Sequence, residues 1–472
     1  MSSIRKFLHI PFHPILFGLY PVVKFLAFNI KEVEIVSTMR IFIIVAASIL
    51  ALFLLLRVLV RDWDRSAVMV SIAALLFFSY GQVYSELRNV DVFGVSLGRH
   101  RYLLVVFLAL LIVGWTWVVK KTKSVDITIG MNAIAFILLI VPLFQITSYE
   151  LRFRKSSPSA ADLEVTQYVD ASGEYPDIYY IITDAYTRDD TLLEYYGYDN
   201  TPFLEALEER GFYVAYCSHS NYTYTRLSLG SSLNMAYLHE FYQFDDLSGF
   251  EQVIKENLVT SLLKKIGYKI VAFATAFPPT NWAHADVYFS YRDQNQEDRL
   301  FQAGVREPEA VFIRTTAGLI ILDAETLLKD RMKKLIDESA SYDRYMRIEY
   351  NLDKLSTVPS IQGPKFVFAH ITIPHEPYIF SASGDFVPNQ TDNIVGYLND
   401  FRRTNILTAY YLPGGGTDAL YPTITPVNTF RLIFDQYFDS NNGLLPDVSY
   451  YSHWKDIFNF EIVPITRQGC TP

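Results

Sequence analysis

Pro176-Asp177-Ile178-Tyr179-Tyr180-Ile181-Ile182-Thr183-Asp184 decides how this 472-residue chain is read. The run is short, apolar and rich in β-formers, and it ends in a carboxylate. Such a run is a buried strand that delivers Asp184 to the carboxyl edge of a sheet, where open α/β sheets place their ligands. Outward from it, Gly197-Tyr198-Asp199-Asn200-Thr201-Pro202 reads as a turn and a helix start, and a second strand falls near residues 212–217. Next comes Asn221-Tyr222-Thr223-Tyr224-Thr225-Arg226-Leu227-Ser228-Leu229-Gly230-Ser231-Ser232-Leu233-Asn234, dense in hydroxyls. A helix starting there aims backbone N–H groups and a hydroxyl at an anion. Residues 268–274, 366–371 and 406–412 read as further strands and 325–345 as a charged amphipathic helix. That alternation predicts a doubly wound, largely parallel sheet with helices on both faces.

Ahead of this lies a membrane domain, residues 1–147. Residues 41–60, 67–84, 102–119 and 127–146 are each apolar and about long enough to span a bilayer. A fifth candidate, 7–29, carries His9, Pro11, His13, Pro14, Pro21 and Lys24, and reads as a kinked span or an interfacial helix. Further apolar segments follow it without a small-residue cleavage site, which excludes a removable signal. Arg5, Lys6, Arg61, Arg65, Lys120, Lys121 and Lys123 fall on one side. The opposite loops carry Lys31, Arg40, Arg88, Arg99 and Arg101. The positive-inside rule therefore makes the first side cytoplasmic by a modest bias, and four spans in place of five would invert the reading. About five spans then put residues 148–472 outside, as a polar linker (148–175, with Ser156-Ser157-Pro158-Ser159 at its centre) and an α/β domain (176–472). The net charge of −9 gives no footprint for nucleic acid. The two cysteines, Cys217 and Cys470, make no disulfide framework and are read as free thiols in preference to a pair.

Phosphate and sulfate esters carry charge that repels a nucleophile, so a site must neutralise that charge and ionise an alcohol. A Thr hydroxyl is a weak nucleophile at its own pKa, and metal coordination supplies the activation. Zn²⁺ or Mn²⁺ held by carboxylate and imidazole suits that task.

The ordered pair Ile182-Thr183-Asp184-Ala185-Tyr186-Thr187-Arg188 and Thr225-Arg226-Leu227-Ser228 resembles membrane-anchored, sulfatase-like members of the alkaline phosphatase superfamily. The layout is similar to bacterial phosphoethanolamine and glycerol-phosphate transferases. The resemblance runs from Pro176 to the end and implies an alkaline-phosphatase-like sheet, a divalent metal (Zn or Mn), and an envelope lipid or glycan ester as substrate. It implies Asp184 as a metal ligand and Thr225 as both ligand and nucleophile. His375, in His375-Glu376-Pro377-Tyr378, matches the family's His-x-Pro-Tyr element at the metal or the substrate phosphate. Arg188 and Arg226 are candidates for the substrate anion. His370, inside the strand run, reads as a hydrogen-bonded core histidine, and Ser228 as structural.

The family's Asp-His-Gly element, which supplies two metal ligands, has no counterpart, because the chain contains no Asp-His dipeptide. After Asp400 the chain passes directly to Phe401-Arg402-Arg403-Thr404-Asn405, as though one βα unit were deleted. Asp385, His453 and Asp293 are conceivable substitutes. The segment 406–412 is then expected to pair poorly or sit displaced. Two readings stand: a metal-dependent hydrolase or transferase, and a catalytically impaired membrane scaffold or binding protein.

Overall fold

The computed structural model describes residues 9–30, 33, 35–88, 90–92, 95–96, 99–121, 124–155, 175–241, 249–291, 306–320, 338–388, 401–453, 455–464, 467 and 470. Contacts divide the chain into two units, residues 1–150 with 295–344, and 151–294 with 345–472. The stretch 295–344, expected as part of the α/β domain, thus goes with the N-terminal helices.

In the first unit, α1 (His13–Phe28), α2 (Ile35–Val60), α3 (Trp63–Leu87), α4 (His100–Lys121) and α5 (Ser124–Lys155) are strung in order. Thr38–Val60, Trp63–Leu87, His100–Lys120 and Ile127–Tyr149 are long and apolar enough to cross a membrane. The structure therefore supplies four of the five expected crossings by length. The fifth candidate, expected from Phe7, begins outside the described residues. Its helix, α1, has 16 residues. At 1.5 Å per residue it is about 24 Å long, shorter than a hydrocarbon core of about 30 Å.

Yet α1 is packed inside the bundle, with Phe17, Val22 and Leu26 buried against α2 and α3. A helix start in such surroundings needs partners for its orphan backbone groups. Asn132 of α5 supplies them, accepting the His13 N–H at 2.9 Å and donating to the Ile10 carbonyl at 2.9 Å. The start of α3 is capped locally, where Asp62 accepts the Arg65 N–H at 2.8 Å. At the other end α5 continues to Lys155, eight residues past the expected domain boundary, and residues 156–174 of the linker lie outside the described residues.

The second unit is built on a four-stranded parallel sheet of β1 (Ile178–Thr183), β2 (Lys269–Phe273), β3 (Val287–Phe289) and β4 (Lys365–Ile371) in the order β1-β4-β2-β3. Three of these strands fall where apolar runs predicted them. The register sets Tyr180 opposite Phe368 and Ile182 opposite His370. One face packs Ile270, Ala272, Phe366 and Phe368 under α6 (Thr225–Asn234), α7 (Leu258–Lys265) and α10 (Pro426–Tyr437). Trp282 stacks on Phe368 with ring centroids 4.0 Å apart. The other face sets Val271, Phe273, Val367 and Ala369 against Val358 and Leu355, and Ile371 against Ile348 of α9 (Ser339–Leu355). Helices on both faces of a parallel sheet are the expected arrangement. The N-terminal part of the predicted 325–345 helix lies outside the described residues.

The central strand β4 is buried at every position, as a strand covered on both faces must be. By contrast β1 is an edge strand, with Tyr179 and Ile181 exposed. Residues 406–412, read as a strand, contribute only Ala409–Tyr410, and these pair antiparallel with Tyr213–Val214 outside the main sheet.

The reading of Cys217 and Cys470 as free thiols is corrected. They form a disulfide with a Cα–Cα distance of 5.8 Å across 253 residues. Spacing could not reveal this, because the tail is brought back by Arg467. Its guanidinium binds both Asp189 carboxylate oxygens, at 2.6 and 3.0 Å, and the Tyr216 carbonyl at 3.0 Å, next to Cys217. Disulfides persist in oxidising compartments. Alkylation of the purified protein is expected to label no cysteine until a reductant is added, and Cys470→Ser is expected to cost about 2–5 kcal/mol of stability. Two thiols labelled without reduction would contradict the bond.

Candidate functional site

The carboxyl edge of the sheet gathers the chemistry-bearing residues. Asp184 follows the last residue of β1, and its N–H donates to the Ile371 carbonyl at 2.9 Å. That bond extends the parallel ladder by one residue and fixes the carboxylate beside β4. There His370 Nε2 lies 3.6 Å from Asp184 Oδ2, with the imidazole fully buried and the carboxylate about one-fifth exposed. The other ring nitrogen, Nδ1, is 2.9 Å from Thr280 Oγ1. His370 Nε2 is buried without a hydrogen-bond partner. His370 is thus a core histidine, as read, but only one of its nitrogens is used by the core.

The direction of α6 brings Thr225 to the same edge. Tyr180 Oη and Ser232 Oγ are 2.8 Å apart, which fixes the last turn of α6 over the middle of β1. From Ser232 back to Thr225 is about 10 Å along the helix, and from Tyr180 on to Asp184 is about 13 Å along the strand. The guanidinium of Arg226 lies 4.8 Å from the ring centroid of Phe277, and the Phe277 ring is 6.1 Å from that of His370. Phe277 follows the carboxyl end of β2, so the first turn of α6 points to that edge. Thr225 is half-buried there. The preceding residue, Tyr224, is extended and gives no side-chain cap. Ser228 bonds Ser220 Oγ at 2.7 Å, the structural role read for it.

His375 stands four residues beyond the end of β4, half-buried in a loop, with Nδ1 2.8 Å from the Glu376 carbonyl. It shares the edge with Asp184. Arg188 is placed differently from the expectation of a substrate contact. It is 1 % exposed, with Nε and NH2 each 2.8 Å from the Asp190 carboxylate and NH1 3.1 Å from His219 Nε2. Its charge is spent bracing the loop after β1. Arg226 is buried as well, but it lies at the edge, over Phe277.

The donor set bears on a metal. The imidazole nitrogen and the carboxylate oxygen are 3.6 Å apart, slightly wider than the ~3.3–3.4 Å between two ligands of one tetrahedral ion at about 2.0–2.1 Å each. The hydrogen bond at Nδ1 leaves Nε2 as the free nitrogen, the arrangement second-shell partners impose on ligating histidines. Two protein donors therefore fit a divalent cation. Among the described residues no three His, Cys, Asp or Glu side chains converge to hold one. Asp385 instead bonds Ser383 Oγ at 2.7 Å, and His453 Nδ1 accepts the Lys455 N–H at 3.2 Å. Asp293 lies outside the described residues. A cavity of about 470 Å³ beside the disulfide, lined by Glu208, Phe212, Tyr216 and Arg467 among others, shares none of the edge residues.

No family model matches the chain, and no curated protein does. Among solved structures it is similar to the integral membrane protein lipooligosaccharide phosphoethanolamine transferase A (EptA) from Neisseria meningitidis. The identity is 13 % and the TM-score 0.26, over 77 % of this chain and 69 % of that one. At that TM-score the likeness carries no argument, and the fold stands on the strands and helices described above.

The bracing of Arg188 has a consequence for stability. Burial, and after it the Arg188 charge, lower the His219 pKa from 6.5 to about 4. Its Nε2 accepts from Arg188, so protonation must break that contact. Between those two values the unfolded chain binds a proton that the folded chain refuses, so stability falls as pH drops from 6.5 to 4. The loss is about 3 kcal/mol at most, at 1.36 kcal/mol per pH unit. Asp190, whose pKa is lowered by its hydrogen bond to and the charge of Arg188 against the opposing effect of burial, adds to the loss below that window. Denaturation midpoints at pH 7 and pH 5 are expected to differ in that direction, and His219→Gln is expected to flatten the difference.

Proposed function

We propose that the protein is a membrane-anchored, metal-dependent hydrolase or phosphotransferase of phosphate or sulfate esters carried by cell-envelope lipids or glycans. The observation that carries this reading is the meeting of Asp184 and an uncommitted His370 nitrogen at the sheet edge toward which α6 presents Thr225 and Arg226. Thr225 is the nucleophile in this reading. Asp184, Thr225 and His370 hold the ion, and His375 and Arg226 face the ester's charged oxygens. Zn²⁺ or Mn²⁺ suits mixed carboxylate and imidazole donors. When bound, such an ion supplies the positive charge that ionises the hydroxyl and neutralises the transferring group. The uncapped first turn of α6 adds backbone N–H groups directed at an anion.

The domain plan in this proposal is an anchor (1–147), a tether (148–175) and an α/β ectodomain (176–472) outside a cytoplasmic membrane. Two independent features support the orientation. Arg57, Arg61, Arg65 and Lys120 gather at one end of the helical bundle. The disulfide in the α/β unit calls for an oxidising compartment. A multi-pass anchor brings lipid esters within reach, which favours envelope substrates over soluble metabolites.

A second reading, an impaired family member acting as a membrane scaffold or binding protein, is favoured by the donor count. The chain has no Asp-His dipeptide, and two or three donors hold a cation less tightly than four. Turnover of a panel of phosphate and sulfate esters by the full-length protein, with and without added Mn²⁺ or Zn²⁺, separates the two. The enzyme reading predicts metal-stimulated turnover that Thr225→Ala lowers ~10³-fold. No turnover, or turnover indifferent to Thr225→Ala, would make the scaffold the better reading.

A further inference from the structure

Residues 306–320 belong to the helical unit although the chain reaches them from the α/β unit and returns there afterwards. Their seat is specific. In α8 (Glu307–Arg314), Phe312 is buried between Phe25 of α1 and Phe78 of α3, with ring centroids 5.5 and 6.0 Å away. Glu309 caps its own helix, its Oε2 accepting the Arg306 N–H at 2.9 Å, and its Oε1 lies 2.9 Å from Arg40 Nε of α2. Both side chains of that ion pair are nearly buried, at 12 % and 8 % exposure. Beyond the helix the Ala317 N–H donates to the Phe77 carbonyl at 2.8 Å. The backbones meet at Gly81, where a Cβ would stand 2.6 Å from the Thr315 oxygen and 2.7 Å from that of Arg314. Only a residue without a side chain admits this approach.

All the receiving residues lie at one end of the bundle. Phe25 is near the end of α1, Arg40 near the start of α2, and Phe77, Phe78 and Gly81 in the second half of α3. The opposite end carries Arg57, Arg61 and Arg65. A buried ring, a buried ion pair and a backbone hydrogen bond on three helices are more than a passing surface contact requires.

We propose that residues 306–320 are a second membrane attachment of the α/β domain, a plug seated among α1, α2 and α3 that holds the domain to the anchor independently of the 156–174 linker. The inference does not depend on the catalytic reading of the edge site. It is tested on the full chain in opened membranes, with a protease site inserted at Ser159. After cleavage and a high-salt wash, the carboxyl-terminal fragment, whose described helices include none able to span, is expected to remain in the membrane pellet. Phe312→Asp is expected to abolish that retention. Arg40→Glu and Glu309→Arg alone are each expected to weaken it, and the two together to restore it. Alkylation protection of Cys217 and Cys470 before cleavage reports that each variant's α/β domain is folded. Release of the wild-type fragment, or retention of the folded Phe312→Asp fragment, would overturn the proposal.

Discussion

The parallel pairing of β1 with β4 is the constraint on which the rest of the α/β unit depends. Its register sets Ile182 opposite His370, and its last bond joins Asp184 to Ile371. Side chains alternate between faces along a strand, so a slip of one residue would move His370 to the face covered by α9. It would also detach Asp184 from the imidazole. The register is held from both sides. Tyr180 reaches Ser232 of α6, and Phe366 and Phe368 lock into the aromatic core with Trp282 and Phe430. The same packing that makes β4 fully buried therefore also fixes at the edge a pair of groups close enough to share a ligand.

What surrounds that pair is unequal in its commitments. Arg188, although close in sequence to Asp184, is consumed by Asp190 and His219 and stiffens the loop. Arg226 keeps a place at the edge, resting on Phe277. His375 is half-buried on its loop. The site so built is small in charge: one carboxylate, one imidazole nitrogen and one hydroxyl come from three different elements. On β1, Tyr179 and Ile181 are bare, and no further strand pairs with its outer edge among the described residues.

Much of this was legible from residue order. Apolar runs ending in a carboxylate or a loop gave β1, β2 and β4, and hydrophobic length gave α2 to α5. Position at a strand end marked Asp184, whereas Thr225 and His375 were singled out by the resemblance to the family's motifs. Other features were hidden because they arise from contacts between distant residues. Cys217 meets Cys470 only because Arg467 returns the tail to Asp189. His370 looked like a core residue, and only the register shows that its second nitrogen faces Asp184. The seat of residues 306–320 depends on Gly81, a glycine inside a spanning helix whose meaning appears only when Thr315 is seen against it.

The most direct measurement of the central claim is calorimetric titration of Mn²⁺ or Zn²⁺ into the full-length protein in detergent, beside Asp184→Asn and His370→Gln. The account predicts one site per chain, weakened by about 10-fold or more in each variant, as the loss of a ligating group entails. Binding of equal strength in the wild type and both variants, or none in any, would contradict a shared ligand at the Asp184–His370 pair.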